Sequence, residues 1–352
     1  MFTQLEIATI KNKAHQIEKA GTLPADILQL IYEKKLFKLF LPAELGGKQL
    51  ELLEALKVFQ KSAAIDGNFG WLVTIGSGGN IFSPYIEENV CEILFRPKTA
   101  VIAGSGYPTG RAIKTDNGYN VSGQWKYCSG ANYATVFTAN CFVEVDGVLT
   151  DKIISCILMP EHVQVVQDWD AYGLKATGSH TIKVNNVSIS KNFTFSLFEQ
   201  KSDYAGIVNS FPFLSFSEAS FTAICLGIGE DFYREAREVI ERKKVESLKN
   251  DSDRYELMVN IIEEKFTAFK QAEKQFYSMV SKTWGKHQQG EVLSERNLQQ
   301  FTAVCKNSVS NIIDSVNALI RYFGMEAVKE SAPLNRIWRN LYTAGQHIFL
   351  TP

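Results

Sequence analysis

The chain has 352 residues, room for roughly two to three structural units, and carries 37 Lys+Arg against 38 Asp+Glu for a net charge of −1. That balance argues against a dedicated nucleic-acid binder, which concentrates a basic surplus on one face. Hydrophobic residues at 45 % and charged residues at 21 % describe a globular chain with a large core and exclude extensive disorder.

From Phe2 to about Asn89 the apolar residues repeat with helical spacing. Leu28, Leu30, Ile31 and Leu36 form one stripe, and Leu52, Leu53, Leu56, Val58 and Phe59 form another. Pro42 and Gly46-Gly47 mark a loop between them. From about Lys98 to Ser196 the period becomes two. Tyr119, Val121 and Gly123 alternate with Asn120, Ser122 and Gln124, as in a half-buried strand. Asn117-Gly118 and Asp146-Gly147 are hairpin signals, and Asn185-Asn186 a bulge or turn within a strand over Thr181 to Ser190. After Phe211 the helical period returns in Phe221, Ile224, Cys225, Ile228 and Phe232. It continues over Met258 to Met279, over Leu298 to Tyr322 and over Leu334 to Phe349. The expected fold is α+β and mainly α. A helical domain spans residues 1–97, a small middle β domain 98–205, and a four-helix bundle 206–352.

No apolar run reaches the length of a spanning helix, and lysines interrupt Met1 to Gln16 where a signal peptide needs an apolar stretch. Cys91, Cys128, Cys141, Cys156, Cys225 and Cys305 lie far apart with no C-x-x-C. Reduced thiols in a cytoplasmic protein, with no metal site, are the expectation. Nucleophile-elbow, P-loop and H-E-x-x-H motifs are missing. Two glycine runs, Gly76 to Gly79 and Gly104 to Gly110, lie outside any βαβ context and read as loops. Among the five histidines, His15, His162 and His287 sit in polar surroundings. His180 follows a turn leading into a strand. His347 lies in a C-terminal helical pattern, where i, i+4, i+8 spacing sets it on one face with Thr343 and Arg339.

Four segments, in order, resemble the acyl-CoA dehydrogenase superfamily, and within it the branch of flavin-dependent monooxygenases. They are Leu41-Pro42-Ala43-Glu44-Leu45-Gly46-Gly47; Gly123-Gln124-Trp125-Lys126-Tyr127-Cys128-Ser129-Gly130; Trp169 through Gly173 to Thr177-Gly178-Ser179; and Pro333-Leu334, Arg336, Trp338-Arg339-Asn340 with His347. The resemblance implies a flavin, FAD or FMN, between the β domain and the bundle. It also implies a small aromatic or heterocyclic substrate, a separate flavin reductase and a homotetramer. Ser105 and Thr109 in a glycine-rich loop, and Ser129 after a strand, offer hydroxyls to the cofactor. Arg339 belongs to the same motif, and Trp125 and Tyr127 share a strand face from which one ring can stack. As catalytic residues the resemblance implies His347 and, where the branch carries a second histidine, Asn80. An aspartate usual after Arg339 is replaced by Asn340.

Acyl-CoA oxidation needs a carboxylate base. No carboxylate follows Glu330, and the alternative position near Glu241 to Glu246 presents lysine, leaving Glu238 or Glu241 as displaced candidates. Three readings stay open: a reduced-flavin monooxygenase, a dehydrogenase with a displaced base, and a non-catalytic flavin-binding homologue. Surplus apolar positions such as Phe266, Phe269 and Phe276 suggest association between chains.

Overall fold

A computed structural model describes residues 1–351, and of residues 246–250 the backbone alone. Helix α1 (Gln4–Ala20) begins in a capping box between Thr3 and Glu6 and ends at Gly21, whose left-handed φ of 64° favours a residue without Cβ. Helices α2 (Ala25–Glu33), α3 (Leu52–Ala63), α4 (Gly67–Gly78) and α5 (Glu88–Phe95) complete the N-terminal unit. Gly47 packs against the backbone of Leu41, where any Cβ would collide, which closes the Pro42–Gly47 loop. The run Gly76 to Gly79, expected as a loop, instead ends α4 and begins a 3-10 turn. Packing explains Gly76, where a Cβ would strike the Phe37 ring.

Seven strands form one sheet in the order β5-β6-β2-β1-β3-β4-β7, where β1 is Ile102–Lys114, β2 Gly118–Cys128, β3 Val136–Val145, β4 Val148–Leu158, β5 Gln164–Val166, β6 His180–Ser190 and β7 Thr194–Phe195. Both hairpin signals are realised. Gly118 starts β2 against β1, and Asp146-Gly147, with φ of 50° and 80°, joins β3 to β4. Asn186 takes φ 50° where the β2–β6 register shifts, the bulge anticipated there. Ser105 and Thr109 lie inside β1 rather than in a loop, flanking a bulge at which pairing with β3 shifts between Ser105 and Gly110.

The C-terminal unit packs α6 (Phe213–Asn250), α7 (Ser252–Gln288), α8 (Glu295–Ile320) and α10 (Pro333–Gly345), with the short α9 (Met325–Val328) before α10. Residues Ile224, Cys225, Ile228 and Phe232 of α6 are buried in a core shared with α3 and α4. Phe269 and Phe276 are buried within this chain, and Phe266 is capped by the Arg237 guanidinium 3.9 Å above its ring. The bundle itself therefore uses the apolar surplus expected to drive association at these positions. No helix among the described residues is long and apolar enough to cross a membrane.

Candidate functional site

Two loops meet where the sheet faces the bundle, one leaving β2 (residues 127–130) and one entering β6 (residues 172–179). Both contain left-handed residues, Tyr127 at φ 65°, Leu174 at 51°, Gly130 at 80° and Gly178 at 52°. For Tyr127 and Leu174 this costs about 1–2 kcal/mol each, strain of the kind that concentrates at functional sites. Surrounding elements hold the second loop in place. Leu174 N–H donates to Asn340 Oδ1 at 2.7 Å, Ala176 N–H to Asn68 Oδ1 at 2.9 Å, and Gly130 N–H to the Thr177 carbonyl at 2.7 Å. Asn340 thus performs a positioning task that needs only an acceptor, which its amide oxygen supplies.

The loops bring three buried hydroxyls together. Ser129 Oγ lies 2.7 Å from Ser179 Oγ, which lies 2.7 Å from Thr177 Oγ1. From α4, Trp71 donates its Nε1–H to Ser129 Oγ at 2.9 Å. The Trp71 ring stacks on Phe221 of α6 at 5.2 Å and 27°, and Phe221 stacks on the His347 imidazole at 3.9 Å and 29°. Ser129 and His347, far apart in sequence, therefore stand on either side of one aromatic pair.

His347 is half-buried among apolar rings, and burial pushes its imidazole down to about 4. Nδ1 accepts the Phe349 N–H at 3.4 Å, which assigns the proton of the neutral ring to Nε2. That Nε2–H has no hydrogen-bond acceptor among the described residues. At neutral pH the site therefore presents a hydroxyl oxygen on one side and an uncharged N–H donor on the other. A hydroxyl acceptor and an uncharged N–H donor beside the Trp71–Phe221 rings match the chemistry of a planar heterocycle with polar edges.

The structure places the other sequence-predicted residues differently. Helix α10 ends at Gly345, so His347 occupies the turn after it and does not share a helical face with Arg339 and Thr343. Arg339 is 6 % exposed, and its five N–H groups are all taken, by both Glu18 oxygens, Asn335 Oδ1 and the Tyr172 and Glu330 carbonyls. It ties α10 to α1 and has no donor left for a cofactor. Trp125 and Tyr127 do not share a face. The left-handed turn at Tyr127 and a register shift between Trp125 and Cys128 break the alternation. Trp125 is fully buried in the sheet core with Nε1–H on the Asn140 carbonyl at 2.8 Å, while Tyr127 is exposed and edge-on to Trp169.

Thr109 donates its proton to the Gln124 carbonyl at 2.7 Å and keeps none for a phosphate. Ser105 is half-exposed on β1. Asn80 is buried, and its Oδ1 accepts a long 3.5 Å bond from Phe40 N–H. Phe40 lines a cavity of about 240 Å³ with Leu50, Tyr204 and Val208, whose lining includes neither Ser129 nor His347. A second cavity, also about 240 Å³, lies between α1, α4, α6 and α10 and is likewise separate from the hydroxyl trio. Sequence reasoning read Phe221 only as part of a helical stripe and did not single out Trp71. Thr177 and Ser179 were visible only as a motif, because their roles arise from contacts across units.

Residues 2–89 match the family model of the acyl-CoA dehydrogenase N-terminal domain and residues 219–352 that of the C-terminal domain, together more than half of the chain. Indole-3-acetate monooxygenase of Acinetobacter baumannii is 21 % identical over 339 residues, covering 96 % of this chain and 86 % of that protein. HsaA of Mycobacterium tuberculosis, the oxygenase subunit of a flavin-dependent monooxygenase, is 22 % identical over 353 aligned positions, covering 96 % and 88 %. Among solved structures, XiaF from Streptomyces sp. in complex with FADH2 and glycerol superposes with a TM-score of 0.87 at 19 % identity, covering 98 % of this chain and 89 % of that one.

Proposed function

Because the chain belongs to the acyl-CoA dehydrogenase superfamily, we propose that it is the oxygenase component of a two-component flavin-dependent monooxygenase. In this reading it takes reduced FAD or FMN from a separate flavin reductase and uses dioxygen on a small aromatic or heterocyclic substrate. The observation that carries the reading is that the Trp71–Phe221 pair links the Ser129 hydroxyl to the neutral His347 imidazole. Full-length similarity to named monooxygenases supports it.

Reduced flavin bound at this site supplies the electrons that activate dioxygen. The chain's residues do the rest. Ser129 orients the polar edge of the ring as a hydrogen-bond acceptor. His347, uncharged at neutral pH, holds a proton on Nε2 where an oxygen atom can accept a hydrogen bond from it. Trp71 and Phe221 provide apolar walls that keep water from the reacting centre. Tyr127 and Ser105 are solvent-accessible and stay candidates for a cofactor contact.

A dehydrogenase base is less well supported. Glu238 and Glu241 have side chains 52 % and 68 % exposed, paired with Arg234 and Lys244 on the solvent side of α6. The proposal includes a cytoplasmic homotetramer, for which the solvent-exposed Phe198, Val245 and Val292 are apolar contact candidates. The test is transfer of an ¹⁸O atom from dioxygen to an aromatic substrate, with reduced flavin supplied by a reductase.

A further inference from the structure

The cavity between α1, α4, α6 and α10 is lined on its α6 side by charges that pair with one another. Asp231 pairs with Arg234 and lies 3.8 Å from Lys11, Glu238 lies 3.6 Å from Arg234, and Glu235 lies 3.0 Å from Arg242. Arg336, on the α10 side, is different. It is 7 % exposed, yet its guanidinium has no hydrogen-bond or ion-pair partner among the described residues. Its nitrogens are not among the polar atoms sealed in without a partner, so they open onto the cavity. A full charge and five N–H donors are costly to bury in that state.

Asn340 stands four residues on, one turn along the same face of α10, and lines the same cavity. Its Oδ1 is taken by Leu174 N–H at 2.7 Å, which assigns the amide orientation. The Nδ2 donor is left with no acceptor among the described residues, and a Cβ on Gly67 would come within 3.1 Å of it. Asp66 is the one lining acid without a cation within ion-pair distance among the described residues. Its Oδ1 accepts Phe69 N–H at 3.0 Å, and burial pushes its carboxyl up, which favours the uncharged form.

We propose that this cavity is a second binding site, for a small organic monocarboxylate held by Arg336 and Asn340. A carboxylate offers two coplanar oxygens to the guanidinium fork and a further lone pair to the Asn340 amide. Its single negative charge matches the single unpaired positive one. A phosphate brings more negative charge, against Asp66 and Asp231 on the facing walls. The volume of about 240 Å³ far exceeds the roughly 30 Å³ share of one water, so an organic anion has room. The site needs no flavin and shares no residue with the Ser129–His347 pair.

The experiment titrates the full-length protein with sodium acetate, acetamide and sodium phosphate at constant ionic strength, by isothermal titration calorimetry. Acetate is expected to bind once per chain, and acetamide, which lacks the charge, not to bind. Arg336→Gln weakens acetate binding at least about tenfold, the worth of a charged hydrogen bond. Asn340→Asp keeps an acceptor for Leu174 N–H and sets a carboxylate beside Arg336 from within the chain. Acetate binding is then lost, and the melting temperature without acetate rises. Acetate binding that both variants leave unchanged lies elsewhere and overturns the proposal, as does a wild-type protein that takes up no acetate. Tighter binding of phosphate than of acetate, lost in Arg336→Gln, overturns the assignment to carboxylates.

Discussion

Arg339 and Glu18 offer the sharpest test of how the site is held. The two residues are 321 positions apart, yet Glu18 Oε1 and Oε2 take Nη1 and Nη2 at 2.6 and 3.0 Å, with the side chains 7 % and 8 % exposed. Charge centres about 4 Å apart at an effective dielectric of about 20 attract by about 4 kcal/mol. Breaking a buried pair by removing one partner costs about 3–5 kcal/mol, because the other charge is left without compensation. Glu18→Gln is expected to lower unfolding free energy by that amount, and Arg339→Met by a similar amount. The double variant Glu18→Leu/Arg339→Met removes both charges, so its loss falls short of the sum by at least about 2 kcal/mol. Urea denaturation at one fixed protein concentration reads all four proteins. Losses below about 1 kcal/mol that add without coupling would show that the pair is not the tie between α1 and α10, and would return Arg339 to the pool of candidate cofactor contacts.

Trp125→Phe removes part of a fully buried ring and its bond to the Asn140 carbonyl. It is expected to cost about 2–4 kcal/mol in a thermal or urea melt while reduced-flavin affinity stays at the wild-type value. Lost affinity without lost stability would mean that Trp125 faces the cofactor. For His347, whose folded-state ionisation lies near 4 against about 6.5 unfolded, the unfolded chain holds more protons between those values. Stability therefore falls as pH drops from about 6.5 to about 4, by at most about 3 kcal/mol and less after screening at a half-buried ring. An NMR titration placing the imidazole at an ordinary 6.5 would contradict this.

The architecture was legible where local chemistry decides it. Asn117-Gly118 and Asp146-Gly147 specify hairpins through backbone angles that few other residue pairs adopt. The α6 stripe from Ile224 to Phe232 specifies its buried face through spacing alone. Strand alternation failed at Tyr127, because a single left-handed residue reverses the side-chain direction and nothing in the flanking pattern announces it. Helical extrapolation failed at His347, because the helix ends two residues earlier. Arg339 was legible as part of a motif, but its partner was not, since no local pattern links it to Glu18. The same holds for Trp71, whose bond to Ser129 crosses 58 positions and two units. The contacts among the Ser129, Ser179 and Thr177 hydroxyls join residues from two loops, and they exist only once those loops meet.

The central claim is oxygen transfer from dioxygen at the Ser129–His347 site. The most direct measurement supplies the protein with reduced FMN or FAD from a flavin reductase, under ¹⁸O₂, with simple phenols and indoles as substrates. Mass spectrometry then follows the hydroxylated product. The account predicts one ¹⁸O atom per hydroxyl added from ¹⁸O₂, none from H₂¹⁸O, and a shift from product to hydrogen peroxide in His347→Ala. Hydrogen peroxide as the sole product across the substrates, together with reduction of the bound oxidised flavin by an acyl-CoA, would contradict it.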